Sequence, residues 1–237
     1  MGSYLGIVWV YLQPLLFVSV LYFIFTAGLK GGGQVGGAPF IIYLLSGMVA
    51  WFYLAENFNT LTGVIMQHSF LLKKVDFRLS LLPLVKLASS SVPHLFLVIV
   101  TIALAAYNGL YPGWYLLQIV YYFVAMALLL LGLGWLTSST RLFIPDVTKL
   151  VGLLVTFGFW LTPIFWDIDR LPEHYRWIIK LNPAVYIVQG YRDAIYGRTW
   201  FWEHPYETLY YWSFTIVVLL AGITVFKRLK PHFAEVV

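Results

Sequence analysis

The chain has 237 residues, of which 61% are hydrophobic, 19% are aromatic and only 11% are charged. Soluble domains carry about 25% charged residues, so this composition excludes an ordinary soluble domain and indicates an integral membrane protein. The absence of cysteine excludes disulfides, thiolate metal sites and thiol nucleophiles, and the net charge of +5 is small enough that its placement matters more than its sum.

Six apolar runs are candidates for membrane-spanning helices, each of which needs about 20 residues. They are residues 4–29, 40–67, 87–107, 114–136, 150–166 and 209–226, and the fifth is the shortest. We therefore predict an all-α integral membrane protein with six transmembrane helices in a single transmembrane domain, residues 1–237. An even number of spans places both termini on the same side of the membrane.

The basic residues indicate which side that is, because cytoplasmic loops carry an excess of Lys and Arg. The connections on the side of residues 67–86 hold nine Lys or Arg against three acids, whereas the opposite side holds six against six. Both termini are therefore predicted to be cytoplasmic. The glycine-rich segment 30–39 then lies outside, and we interpret it as a flexible linker because it lacks the Lys and Ser/Thr of a phosphate-binding loop.

Residues 160–197 are unusual because the part after Trp166 is too polar to span a bilayer and too aromatic for a solvated loop. Pro172 and Asn182-Pro183 are typical of first helical turns, and Gly197 is typical of a helix end. We predict two short helices, 172–181 and 183–196, that lie at or dip into the outer membrane face.

The second of these helices is predicted to be amphipathic. Its apolar face would be formed by Val185, Val188, Tyr191 and Ile195. Arg192 and Asp193 are predicted to lie on the opposite, polar face.

One ionisable residue, Glu56, lies inside the second predicted span. Helical spacing places it on one face with a set of polar and small residues, namely Asn59, Thr60, Gly63 and Gln67. An acid within a span faces protein or water, because exposure to lipid costs several kcal/mol. Two hypotheses stay open: this stripe lines a polar pathway, or it forms hydrogen bonds between helices with Gly63 allowing close approach.

A second group of candidates is aromatic and lies toward the outer halves of spans two and five. Rigid aromatic faces suit stacking against sugar rings, although interfacial belts and packing are the alternative roles of such residues. The channel-lining candidates of this kind are Trp51, Tyr53, Trp160, Phe165 and Trp166.

The cytoplasmic segment between spans two and three combines apolar and basic residues at the spacing of a short helix. It is either a membrane-surface helix with snorkelling lysines or a helix that docks into a groove of a cytoplasmic partner. The residues concerned are Phe70, Leu71, Lys73, Lys74, Phe77 and Arg78.

Groups that would perform chemistry are few. The five histidines are scattered without metal-ligand spacing, and Ser138-Ser139-Thr140 is interpreted as the start of a loop. Asp167 and Asp169 are better explained as helix caps than as metal ligands. The chain has no ATP-hydrolysing motif, so any energy from ATP must come through another chain. We predict no catalytic residues, no metal and no cofactor in this chain, and no nucleic-acid partner.

Four motifs follow one another along nearly the whole chain. They are residues 3–15 (SYLGIVWVYLQPL), 160–172 (WLTPIFWDIDRLP), 181–197 (LNPAVYIVQGYRDAIYG) and 226–235 (FKRLKPHFAE). In this order they resemble the ABC-2 type permease family, specifically its branch that exports polysaccharides such as O-antigen, capsule and teichoic acid. Family members usually begin with an amphipathic cytoplasmic helix that precedes the matched segment, and Pro145 stands where the family commonly has Arg.

The resemblance implies a homodimer in the bacterial inner membrane, in contact with membrane lipids and with two separate ATP-binding cassette subunits that bind ATP and Mg. The dimer would form a channel for a lipid-linked glycan, and the segment from Phe70 to Arg78 would be the coupling helix. An external gate would contain Pro172, Asn182, Pro183, Tyr191 and Arg192.

Two alternatives remain at this stage. The first is an exporter of drugs or small lipids from the same family. The second is an integral membrane enzyme acting on lipid-linked substrates, with Glu56, Asp167 and Asp169 as its acids.

Overall fold

The structure is a computed structural model that describes residues 6–28, 33–71 and 79–233. Its α-helices are α1 (Gly6–Phe23), α2 (Phe40–Gln67), α3 (Leu82–Tyr107), α4 (Gln118–Arg141), α5 (Val147–Leu161), α6 (Glu173–Lys180), α7 (Pro183–Arg192) and α8 (Pro205–Leu229). Within these residues, and with their short 3-10 or π extensions included, five segments are long and apolar enough to cross a membrane: Val8–Gly28, Phe40–Gln67, Leu79–Tyr107, Gly113–Arg141 and Pro205–His232. The chain is therefore a largely helical, multi-pass membrane protein.

Helix α5 is shorter than the predicted fifth span, which extended to Trp166. It has 15 residues and ends at Leu161, after which Thr162 takes an extended conformation with ψ of 131°. The cause is local, because the ring of Pro163 disfavours helical geometry at the residue before it. A helix of this length is about 22 Å long, whereas the hydrocarbon core of a bilayer is about 30 Å thick.

Two other helices are longer than their predicted spans. Helix α3 begins at Leu82 rather than residue 87, with Pro83 in its first turn, where a missing N–H costs nothing. Helix α4 continues to Arg141, so the prediction that Ser138-Ser139-Thr140 starts a loop is wrong. The Ser139 hydroxyl donates to the Trp135 carbonyl at 2.6 Å, which lets a polar residue remain inside the helix.

The glycine-rich outer segment contains regular structure. Strands β1 (Gln34–Val35) and β2 (Ala38–Pro39) pair antiparallel around a two-residue turn. Gly36 and Gly37 have φ of 59° and 80°, and positive φ at both central residues is the requirement of a type I′ turn. The prediction of a flexible linker is therefore wrong for residues 33–39, while residues 29–32 lie outside the described chain.

Helix α2 occupies the centre of the bundle, with twenty of its 28 residues buried. Helices α4 and α8 approach each other at Gly132 and Gly222, where a Cβ added to Gly132 would lie 2.9 Å from the Leu219 backbone. Small residues at a helix crossing allow this close packing in membranes. By contrast, α5 buries only Val151, and the span that contains α1 is almost entirely exposed in the single chain.

Candidate functional site

The segment between α5 and α8 forms an outer module, which we define as α6, α7 and the connections that flank them. Asn182 caps α7 by accepting a hydrogen bond from the Ala184 N–H at 3.0 Å, and Pro183 occupies the first helical position. The Asn182 amide also donates to the Thr162 hydroxyl at 2.9 Å, which ties the cap to the end of α5. Pro172 is the residue before α6, whose own side chains are all at least partly exposed.

Arg192 anchors the C-terminal end of α7. Its side chain is 2% exposed, its guanidinium carbon lies 3.6 Å from the centre of the Tyr43 ring, and Nη2 donates to the Ile164 carbonyl at 2.8 Å. The Tyr43 hydroxyl in turn donates to the Trp166 carbonyl at 2.6 Å. The predicted polar face of α7 is therefore not exposed at this end, because Arg192 and Asp193 are both buried.

Asp193 is 5% exposed, and its burial raises the pKa of its carboxyl to about 6. Two neighbours partly offset this effect by favouring the charged form. Gln189 Nε2 donates to Oδ1 at 3.1 Å, and His204 Nε2 lies 3.7 Å from Oδ2. A buried carboxyl of this kind titrates near neutral pH rather than near pH 4.

Helix α7 extends inward as far as the middle of the neighbouring helices. The Tyr191 hydroxyl and His94 Nε2 share a hydrogen bond of 2.8 Å, and His94 lies twelve residues into the 26-residue helix α3. Gly190 permits this insertion, because a Cβ at that position would overlap the ring of Tyr122 on α4. The outer module is therefore packed into the bundle rather than laid over it.

The α2 stripe contains both exposed and buried residues. We use this name for the set Glu56, Asn59, Thr60, Gly63 and Gln67. Glu56, Asn59 and Gln67 are exposed in the single chain, whereas Gly63 is buried against Arg141.

The hydrogen bonds of the α2 stripe are mostly local. Asn59 and Thr60 bond to carbonyls four residues back in α2 rather than to another helix. Glu56, by contrast, forms an ion pair of 3.7 Å with Lys86 of α3, and its side chain is 54% exposed. Glu56 lies about 24 Å along α2 from Phe40, at a depth where lipid would not tolerate it.

The five aromatic candidates fall into two groups. Trp51 and Tyr53 are 5% and 3% exposed and pack inside the chain, so in this structure neither presents a free face for a sugar. Trp160 is 61% exposed, and its ring packs edge-on against Phe165 at 5.4 Å. Phe165 and Trp166 are half-buried, and the Trp166 indole N–H donates to the Trp160 carbonyl at 3.1 Å.

The predicted coupling segment is only partly described. Phe70 lies in a short 3-10 helix, Ser69–Leu71, and its side chain is 61% exposed. Leu71 ends that helix. The remaining coupling candidates, Lys73, Lys74, Phe77 and Arg78, lie outside the described residues.

The acids proposed for an enzyme do not converge. Asp167 and Asp169 line the outer cavity beside Tyr43, at the outer end of α2, whereas Glu56 lies thirteen residues further along that helix, about 20 Å away. Asp167 instead accepts a hydrogen bond from the Asp169 N–H at 3.0 Å, as a helix cap does. Within residues 6–28, 33–71 and 79–233, no three His, Cys, Asp or Glu side chains are grouped as metal ligands would be.

Several residues that position α7 were not singled out from the sequence. They are Tyr43, His94 and Tyr122, whose roles depend on contacts between distant segments. Gly190 was the one with a local signal, because an isolated glycine inside an amphipathic helix often marks a close approach.

Comparison with known proteins gives one family and several relatives. Residues 2–196 match the family described as ABC-2 type transporter. The chain is 26% identical to an O-antigen export system permease protein RfbA of Klebsiella pneumoniae, over 99% of this chain and 88% of that protein. It is 22% identical to a protein of the same name from Myxococcus xanthus, with the same coverage, and 22% identical to the polysialic acid transport protein KpsM of Escherichia coli, over 94% and 85%.

Proposed function

The chain belongs to the ABC-2 type transporter family, and on that premise we propose that it is the membrane-spanning subunit of an ATP-driven exporter of a lipid-linked polysaccharide. The names of its relatives support this cargo, since they are O-antigen and polysialic acid transport proteins. The family implies pairing with an ATP-binding subunit. In the proposal, the ATP-binding subunit is a separate chain that binds ATP and Mg and hydrolyses ATP. The permease itself lies in the inner membrane of a bacterium.

The observation that carries the proposal is the exposed part of the α2 stripe. Glu56 and Asn59 project from the middle and inner half of an apolar helix, yet the single chain leaves them uncovered. An ionised group in that position requires water or protein around it. A hydrated path for a hydrophilic glycan, lined by this face of α2, meets that requirement.

A homodimer is part of the proposal. Helices α1 and α5 touch through Phe17 and Phe159, whose ring centres are 6.2 Å apart, and both helices have largely unburied apolar surfaces. A second copy packed on these surfaces would enclose a channel between the two protomers. Helix α5, although short, would cross the membrane and bring the number of spans to six. The cytoplasmic segment from Phe70 to Arg78 would contact the ATPase.

The outer module is proposed to be the external gate of that channel. The hydrogen bond between Tyr191 and His94 supports a re-entrant arrangement, because it links α7 to the middle of α3. Asn182-Pro183 starts the inserted helix, and Arg192 holds its other end. With both termini cytoplasmic, this module closes the outer face.

The test uses a host strain in which the gene is deleted and replaced by variants, with surface polysaccharide as the readout. Glu56→Leu should reduce export at least about ten-fold, because it removes a hydrated polar group from the path and a tenfold rate change needs only 1.4 kcal/mol. Glu56→Gln, which keeps polarity, is the matched control and should retain most export.

Two results would contradict the proposal. The first is surface polysaccharide that is unchanged when the gene is absent. The second is a purified protein that brings no ATP-binding subunit with it. The alternative of a small-lipid exporter predicts normal surface polysaccharide in the deletion strain together with altered lipid export.

A further inference from the structure

The outer module encloses a cavity that has no role in the function described above. It lies between the β1–β2 turn, the outer ends of α2 and α4, helices α6 and α7, and the first turns of α8, and its volume is about 340 Å³. This volume falls within the range of about 300–1,000 Å³ that is usual for ligand pockets. The exposed residues Gln189 and Lys180 line it, so it opens to the surface.

Aromatic side chains make up much of the cavity wall. Five tyrosines contributed by α2, α4, α7, the turn after α7 and α8 line it, namely Tyr43, Tyr122, Tyr186, Tyr196 and Tyr210. Tyr43 and Tyr122 are 3% and 1% exposed and close the wall behind the other three. Tyr186, Tyr196 and Tyr210 are half-buried, so their rings can offer flat apolar faces and their hydroxyls can offer hydrogen bonds at the edges. This combination suits the C–H faces and hydroxyl groups of a sugar ring.

The charged groups of the cavity come in opposite pairs. Two ion pairs line it, Arg176 with Asp169 at 3.0 Å and Lys180 with Glu207 at 2.8 Å, and His204 Nε2 lies 3.7 Å from Asp193 Oδ2. Such fixed pairs present many donors and acceptors without a large net field.

The two charges that remain also offset each other. Arg192 lies over the Tyr43 ring, and Asp167 lies beside the same tyrosine in the same wall. A polyanionic ligand would meet as many acids as bases here. An alkyl chain would have to desolvate ion pairs, which is costly.

We propose that this outer cavity binds one uncharged sugar unit of the glycan that the exporter moves. The identity of that ligand rests on the proposed function. Helix α7 supplies several of the lining residues, including Gln189 and Gly190. A bound sugar therefore contacts the same helix that closes the outer face. The cavity favours a neutral glycan over an acidic one such as polysialic acid.

The test measures binding of two probes to the purified permease–ATPase complex in nanodiscs, by saturation-transfer NMR and calorimetry. One probe is a set of neutral oligosaccharides cut from the host strain's surface polysaccharide, and the other is a sialic-acid tetramer. Gln189→Trp fills the cavity, whereas Tyr206→Trp adds the same side chain at a position that is 84% exposed and outside the cavity.

The wild type and Tyr206→Trp should bind the neutral probe equally. Gln189→Trp should bind at least about ten-fold more weakly, which corresponds to about 1.4 kcal/mol. If Gln189→Trp does not assemble with the ATPase, Tyr210→Leu replaces it, since this change removes one aromatic face at the cavity and should weaken binding several-fold.

Equal binding by the cavity variant, or no binding of the neutral probe by the wild type, overturns the inference. A preference for the sialic-acid tetramer overturns the argument from balanced charge. Surface polysaccharide in the deletion strain is scored separately. A loss of polysaccharide combined with no probe binding refutes the cavity alone, and unchanged polysaccharide combined with specific probe binding refutes the export function alone.

Discussion

Replacing Gly190 by alanine should loosen the outer module, because the close approach of α7 to α4 depends on the missing side chain. The added Cβ would overlap the Tyr122 ring, which is 1% exposed and packs against Tyr121 and Tyr186, so either the ring or α7 must shift. Overpacking of this kind costs about 1–3 kcal/mol. Because the Cβ would lie on three ring atoms, the upper part of that range applies, about 2–3 kcal/mol. The better helix propensity of alanine returns about 1 kcal/mol, which leaves a net loss of about 1–2 kcal/mol for the packed position of α7.

The absence of cysteine allows a direct measurement of this loss. Val188 lies on α7 and is 1% exposed, so Val188→Cys introduces a single buried thiol that reacts with a membrane-impermeant maleimide only when the helix lifts. If local opening limits the reaction, a loss of 1–2 kcal/mol should raise the labelling rate about five- to thirty-fold. Export by intact cells should fall in parallel.

The control is Gly152→Ala on α5, where an added Cβ meets no atom within 4 Å in the single chain. It should leave the labelling rate of the Val188 thiol unchanged. Tyr122→Leu should partly rescue Gly190→Ala, because the two substitutions share one contact and their effects should not add. An unchanged labelling rate in Gly190→Ala, or strict additivity with Tyr122→Leu, would refute the steric argument.

Three further predictions concern the ends of α7. Asn182→Ala should lower the melting temperature of the purified protein through loss of the helix cap, at a cost of about 1 kcal/mol; an unaltered melting temperature would contradict the cap. Arg192→Lys should raise labelling at the Val188 position, since an ammonium cannot stack on Tyr43 as the planar guanidinium does, with a loss of about 1–2 kcal/mol. Asp193→Asn should flatten the pH dependence of stability. The raised pKa of about 6 stabilises the folded protein fully below pH 4, and this contribution is lost as the pH rises through 6. The free energy of unfolding should change by about 3 kcal/mol over this range in the wild type. Melting curves at pH 4 and 7.5 test this, and an equally steep dependence in the variant would rule out Asp193 as its source.

The sequence was sufficient for the features that depend on local physics. Long apolar runs predicted the spanning helices, because the requirement for about 20 apolar residues is strict in lipid. Proline and asparagine chemistry predicted the start of α7 at Asn182-Pro183 to the residue. Proline also explains why the fifth span was predicted to be too long. The prediction followed the hydropathy of residues 162–166 and gave too little weight to Pro163, which ends the helix by disfavouring helical geometry at Thr162.

The burial of the two charged residues at the end of α7 could not be predicted from the helical periodicity of the sequence. Arg192 and Asp193 follow the polar side of an amphipathic pattern, yet the partners that accept them come from α2, the segment after α5 and the start of α8. A helical wheel describes the faces of one helix and contains no information about what surrounds it. The same limit applies to Trp51 and Tyr53, whose burial depends on neighbours far away in sequence.

The shortness of α5 has a consequence for the membrane itself. A helix of about 22 Å cannot match a hydrocarbon layer of about 30 Å, and lipids beside a short hydrophobic segment compress to reduce the mismatch. Where the second copy of the proposed dimer leaves α5 uncovered, its exposed outer end, with Phe157, Trp160 and Leu161, would draw the outer leaflet inward. A thinner bilayer shortens the distance that a polar headgroup must cross within the hydrocarbon layer. If the cargo is lipid-linked as proposed, this edge of α5 would be the easiest exit for its lipid anchor.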